Sequence, residues 1–369
     1  MSNFKFSLNG ITSFVQQRIG NNYSSVSTLD SHDRIRERMR EKPNRNKKSN
    51  HTDTINTLCL IRSGMVLSGS RDSKIALTNV DNGDLALFWD THGAEVTKLA
   101  YRNSVAKHSV FSGSRDSTIT MYHLNNPTPL RVYNDHRLTI TGVANIDDES
   151  FISGSRDTSI KIWDVETGKV RMQKEMNRNL VTHLAYNPNL SIIAQSSEDK
   201  TVKLFDPRSL AVIHEYPRKQ HIQMHCDFME NTHVLVSCSN GFNNDGGEVT
   251  LYDLRYAKPI KELRGHEGSV TCVTTVPIGD NKKIIVSTGA DKTIRVWRFE
   301  DMSLSWTEES PFEMDMMQCC AYAEGHVIVS GGHGRLAHYQ ARMHGSRVAL
   351  ELLWVQSSQI SESISNQTF

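Results

Sequence analysis

The chain has 369 residues, 37% apolar and 22% charged, with a mean hydropathy of −0.46 and a net charge of +1. No apolar run approaches the roughly 20 residues of a membrane-crossing helix, the first residues lack the apolar core and cleavage site of a secretory leader, and Ser2 excludes N-myristoylation. Six cysteines (Cys59, Cys226, Cys238, Cys272, Cys319, Cys320) lie in apolar stretches without a CxxC pair, the pattern of small core residues in a reduced, intracellular protein.

Residues 1–50 hold ten Lys/Arg and four Asp/Glu, a net of +6, whereas the remainder carries a net of −5. The charge is densest in HDRIRERMREKPNRNKK (32–48), which lacks apolar residues at helical spacing and is broken by Pro43. It reads as a disordered, solvated arm, with docking to an acidic protein or an anionic membrane as the second reading. The polar SSQISESISNQTF after residue 356 reads as a disordered tail.

Between arm and tail the chain repeats itself. The pentapeptide SGSRD stands at Ser68–Asp72, Ser112–Asp116 and Ser153–Asp157, and SSEDKT and GADKT continue the series at Asp199 and Asp291. Six residues past each aspartate comes Thr78, Tyr122, Trp163, Phe205 or Trp297, after a run that alternates in β-branched residues, as in SGSRDTSIKIWD. Period-2 alternation on both sides of a Gly/Ser/Asp cluster predicts a tight turn between two strands. A histidine opens each unit upstream: His51, His92, His136, His221 and His266. Units begin near 50, 91, 134, 174, 217, 263 and 309 and end near Trp354, a period of about 43 residues. SCSNGFNNDGGEV in the fifth unit reads as a longer loop, and SGGHGRLAHYQ in the seventh has lost its aspartate. Trp89-Asp90 lies 17 residues past Asp72, so it belongs to an outer strand. Either NFKFSLNG near the start or VALELLW near the end can complete the last sheet, and the sequence leaves both open.

RGHEGSV…VSTGADKTIRVW and DHRLTIT…ISGSRDTSIKIWD resemble the WD-repeat family. The resemblance implies an all-β, seven-bladed WD-repeat β-propeller over residues 51–355, after a disordered basic N-terminal arm. It also implies buried His–Ser–Asp–Trp chains that pin blades, complete in His136/Ser153/Asp157/Trp163 and His266/Ser287/Asp291/Trp297. Tyr122 replaces Trp in the second blade, and Gln195 takes the serine position in the fourth, which is therefore expected to rely on packing.

In that family the residue before the aspartate and the residue three past the histidine sit on the narrow top face, where partners dock. Here these are Arg71, Arg115, Arg156 and Glu198, and Thr54, Glu95, Thr139, Met224 and Ser269. Three neighbouring guanidinium groups suit an acidic partner, unless each pairs with a neighbouring acid. LFDPR and LYDLR give two Asp-x-Arg boxes, Asp206/Arg208 and Asp253/Arg255, which resemble the box by which WD-repeat substrate receptors dock on the adaptor of cullin-four ubiquitin ligases.

No catalytic group, cofactor site or metal site emerges from the residues. In HIQMH (221–225) the two histidines, four apart on a strand, lie about 13 Å from each other, too far to share one ion. SGGHGRL lacks the spacing and lysine of a phosphate loop, and a net-negative body without a basic stripe argues against nucleic acid. NRNLVTHLAYNP, SSEDKTVKLFDPRSLAVIHEYPRKQHIQ and SCSNGF…GEVTLYDLR resemble a member of the family that acts in cilium assembly and trafficking. The implied function is a non-enzymatic scaffold, cytoplasmic and ciliary, that binds an acidic partner controlling ciliary cargo or small GTPases. The alternative is a cullin-four substrate receptor.

Overall fold

The computed structural model describes residues 44–357, apart from positions 63, 104–107, 125, 177–179, 242–244, 257, 280–281, 313–316, 323–324 and 346. They belong to a compact unit that begins at Lys42. Seven antiparallel sheets follow one another in chain order, and in the first six the strands are arranged in sequence order from inner to outer. Inner strands begin at Ile55, Val96, Ile140, Val181, Gln223, Val270 and Gln318, each within a few residues of the expected unit. Neighbouring inner strands touch all round, the first against the last, so the sheets form a closed seven-bladed propeller.

Burial explains the strand chemistry. Middle strands are covered by blades on both faces, so Ser150–Ser155 (SFISGS) is buried throughout and Ser159–Asp164 (SIKIWD) nearly so. The outermost strand has one wet face, and Val170–Glu175 (VRMQKE) alternates between partly buried and exposed. The core lies between blades: Phe111 and Tyr133 of blade 2 meet Phe151 and Trp163 of blade 3, with ring centroids 4.7–5.5 Å apart. Trp89 does sit in an outer strand, Leu85–Asp90, where Nε1 donates to the Asn126 carbonyl at 3.3 Å.

Blade 7 completes itself and then gains a strand. Arg347–Ser357, which contains VALELLW, is its fourth strand, and Asn44–Lys48 pairs with that edge in parallel, Asn44 opposite Trp354 and Lys48 opposite Ser357. Ser49 fixes the join: its N–H donates to the Ser357 carbonyl at 3.0 Å and its buried Oγ to the Gly334 carbonyl at 2.7 Å. Residues 44–50, read from sequence as the end of the arm, therefore belong to the propeller. Charge and Pro43 concealed this strand, whose pairing partner lies at the far end of the chain. NFKFSLNG and the rest of the arm lie outside the described residues, as do residues 358–369; Gln356 and Ser357, past the expected propeller boundary at 355, belong to the last strand of blade 7.

Candidate functional site

The turns between second and third strands form one face, and the repeated pentapeptide builds it letter by letter. In blade 3, Trp163 Nε1 donates to Ser153 Oγ at 2.7 Å, Ser153 Oγ lies 2.7 Å from His136 Nε2, and His136 Nδ1 lies 2.8 Å from Asp157 Oδ2. The indole can only donate, so the proton order runs Trp to Ser to His to Asp. Blade 6 repeats the chain through Trp297, Ser287, His266 and Asp291 at 2.9, 2.8 and 2.9 Å. Blades 1 and 2 keep His51–Asp72 and His92–Asp116 with Ser68 and Ser112, but Tyr122 bonds the Thr91 carbonyl instead of the serine.

Burial alone would raise the Asp157 and Asp291 carboxyls, but bonds from His136 and Ser159, and from His266 and Thr293, outweigh it and hold both below the ordinary carboxylate range. Ser159 and Thr293, with Thr118 and Thr201, each donate a hydroxyl to the turn aspartate at 2.6–2.8 Å. These hydroxyls complete the pin and went unnoticed in the sequence, although Asp-x-Ser/Thr recurs in four units.

Two expectations are corrected in blades 4 and 5. In blade 4, expected to be pinned mainly by packing, Asp199 also has an ionic partner, Lys203 Nζ at 2.8 Å. His221 pins nothing in blade 5: Ser237 Oγ donates to Gln223 Oε1 at 2.8 Å in its place. Counting three residues from His221 therefore misplaces the top-face position. The backbone pairs Arg71–Thr54, Arg115–Glu95, Arg156–Thr139 and Ala290–Ser269 continue in blade 5 as Asn240–Ile222, so Ile222 holds the place assigned to Met224. Met224 packs against an apolar cluster. Thr54 is 2% exposed and offers no side chain to a partner, because it is turned under the Arg71 turn.

The arginines are both exposed and engaged. Arg71, Arg115 and Arg156 keep 48%, 67% and 56% of their side chains in solvent. Glu95 of blade 2 takes Arg71 Nε of blade 1 at 3.3 Å and Arg115 Nη1 of its own blade at 3.2 Å, and Glu198 of blade 4 takes Arg156 Nη2 of blade 3 at 3.1 Å. Of the two readings of the repeated arginine, pairing with neighbouring acids is what the geometry shows, and two of the three pairs cross a seam between blades. Three cations share two glutamates, and each guanidinium retains donors facing solvent.

On the opposite face the two Asp-x-Arg boxes differ. Asp253 grips its own Arg255 bidentately at 2.8 and 2.6 Å, which brings the carboxyl down to about 2. Asp206 accepts the Arg208 backbone N–H at 2.9 Å and Ser209 Oγ at 3.1 Å, leaving the Arg208 guanidinium exposed. Inside the ring, His225 lies against His183 of the preceding blade with ring centroids 3.8 Å apart and planes tilted by 35°, and burial, with His225 and Lys98 nearby, holds His183 well below its usual pKa. Among the described residues no group of three or more His, Cys, Asp or Glu is placed to hold a metal.

A family model described as WD domain, G-beta repeat, matches residues 127–164, the stretch that carries the complete blade 3 pin. The chain is a seven-bladed WD-repeat propeller. A second model, Nucleolar protein 10-like, N-terminal domain, matches residues 165–341. Among solved structures, the WD40 propeller domain of Doa1 superposes with a TM-score of 0.64 over 77% of this chain and 92% of that one, at 24% identity, which speaks to fold alone. Similar curated proteins include a "Ribosome biogenesis protein WDR12 homolog" of Culex quinquefasciatus, 32% identical over 46% of this chain and 39% of that protein. "Ribosome biogenesis protein YTM1" of Meyerozyma guilliermondii is 28% identical over 64% of this chain and 49% of that protein. The propeller thus spans less than half the length of these relatives.

They overturn the functional expectation. The likeness to a ciliary family member, WD repeat-containing protein 31, suggested a ciliary factor in cytoplasm and cilium, with a ligase receptor as alternative. The relatives found carry the titles of ribosome biogenesis proteins, and the second model that of a nucleolar protein. The stretches of blades 4 and 5 that suggested the likeness share the strand and turn pattern of the fold, and fold does not carry function.

Proposed function

We propose that this chain is a non-enzymatic, protein-binding scaffold of ribosome biogenesis whose pinned face takes an acidic partner through Arg71, Arg115 and Arg156. The observation that carries the binding mode is the row of three half-exposed guanidinium groups on consecutive blades with only two glutamates between them. Each uses a single N–H on its glutamate and has further donors for a carboxylate. Support for the process comes from the titles of the relatives. Glu95 and Glu198 meanwhile keep the arginines ordered and suppress binding of weak anions, so a partner must present several carboxylates at once.

The process is tested by sedimenting the tagged chain from growing cells on sucrose gradients. Co-sedimentation with pre-ribosomal particles at low salt, and release as salt shortens the Debye length from about 30 Å at 0.01 M to about 3 Å at 1 M, is the expected result. A chain that sediments only as free protein at low salt overturns the ribosomal reading.

A further inference from the structure

Leu138 stands 53% exposed on the pinned face of blade 3, in a loop, residues 135–139, that is otherwise polar. Ser155 Oγ donates to its carbonyl at 2.9 Å, as Ser70 Oγ does to the Asp53 carbonyl at 3.0 Å in blade 1 and Ser114 Oγ to the Ala94 carbonyl at 3.4 Å in blade 2. The bond uses the backbone alone, so the repeat places no demand on the side chain at this position. An acid, a methyl group and a leucine occupy it in the three blades, and only blade 3 puts a large apolar group there.

Two cations stand next to Leu138 on the same rigid support. Arg137 precedes it and is fixed through its backbone N–H, which donates to Asp157 Oδ2 at 3.0 Å. Arg156 is fixed from the other side, its backbone N–H donating to the Thr139 carbonyl at 3.0 Å. Arg137 is exposed and has no ion pair among the described residues, and Arg156 gives Glu198 a single N–H. The other acids of the loop and turn are engaged: Asp157 in the pin and Asp135 with Lys161. Exposing a leucine here serves no contact within the blade, whereas protein interfaces combine a desolvated apolar centre with a polar rim.

We propose that Leu138 is the apolar anchor of the partner site: the partner presents a peptide segment that sets one aliphatic or aromatic side chain on Leu138 and carboxylates on either side of it against Arg137 and Arg156. The inference rests on the reading that the pinned face takes an acidic partner, and adds to it an apolar recognition element and a fourth arginine.

Selection of a random peptide library displayed on phage, against the whole chain at low salt, tests it. The expected peptides carry acidic residues around one aliphatic or aromatic position. Leu138→Ser keeps the wild-type melting temperature, because the side chain is exposed, but binds a selected peptide about tenfold or more weakly, the factor expected for one lost apolar contact. Acidic peptides without an apolar position overturn the anchor and leave the acidic-partner reading standing, as does equal affinity of a selected peptide for wild type and Leu138→Ser. Selected peptides with no excess of acids overturn both.

Discussion

Asp157→Ala lowers the stability of the propeller by about 3 kcal/mol, since it strips partners from several donors at roughly 1–3 kcal/mol for each group left buried and unsatisfied. Those donors are His136 Nδ1, Ser159 Oγ, and the N–H groups of Arg137 and Ser159. Arg156→Ala, one residue away and 56% exposed, changes stability by less than about 0.5 kcal/mol. Thermal unfolding of the two variants beside wild type is the check, and equal melting temperatures would refute the pin.

The same chemistry sets the pH response. Asp157 and Asp291 have carboxyls held below their unfolded value, so the stability they confer is complete above about pH 4 and is lost as pH falls through the folded values. Burial, opposed by Asp291, also depresses His266, so its contribution is complete above about pH 6.5 and declines below it. Urea midpoints measured from pH 7.5 downward therefore fall gently at first and steeply below about pH 4 in wild type, and less steeply in Asp157→Ala.

Gly113→Val is expected to cost about 3 kcal/mol or more by a different route. A Cβ at Gly113 would stand 2.5 Å from Ile140 Cγ2 and 3.2 Å from Val143 Cγ2, on the inner strand of the next blade. Gly69 meets Val96 at 2.6 Å and Gly154 meets Val181 at 2.6 Å in the same way. The central glycine of Ser-Gly-Ser is thus the floor on which each following blade sits, and overpacking there displaces a whole sheet rather than one rotamer. Ile140→Ala is destabilising alone but should partly rescue Gly113→Val, with a coupling of about 1–2 kcal/mol in a double-mutant cycle. Additive effects would mean that the seam is looser than the distances say.

Each letter of SGSRD now has a task. Ser68 Oγ donates to the histidine, Gly69 admits the next blade, Ser70 Oγ donates to the Asp53 carbonyl and takes the Asp72 N–H, Arg71 crosses to Glu95, and Asp72 orients His51. The seven units and both complete pins were legible because they are local and periodic: turn residues and alternation recur at a fixed spacing. What lay between units was not. Glu95 and Glu198 were read onto the same face as the arginines, but the spacing within one repeat does not say that Arg71 reaches across to Glu95 of the next blade. Ile222 was missed because His221 imitates a pin histidine at a position where Gln223 has taken over the bond to Ser237. The closing strand Asn44–Lys48 was hidden in a charged run, since the edge it pairs with lies at the far end of the chain.

The pinned face, through its arginines, is the surface proposed to meet this scaffold's partner. One capture experiment bears on it most directly: the tagged wild type and the Arg71→Glu/Arg115→Glu/Arg156→Glu variant, compared by quantitative mass spectrometry after matched melting temperatures are confirmed. Ribosome-assembly proteins are expected to come down with wild type at low salt and to be lost at least tenfold from the variant, because an acidic partner then meets reversed charge. Equal recovery of the same proteins by both forms would contradict it.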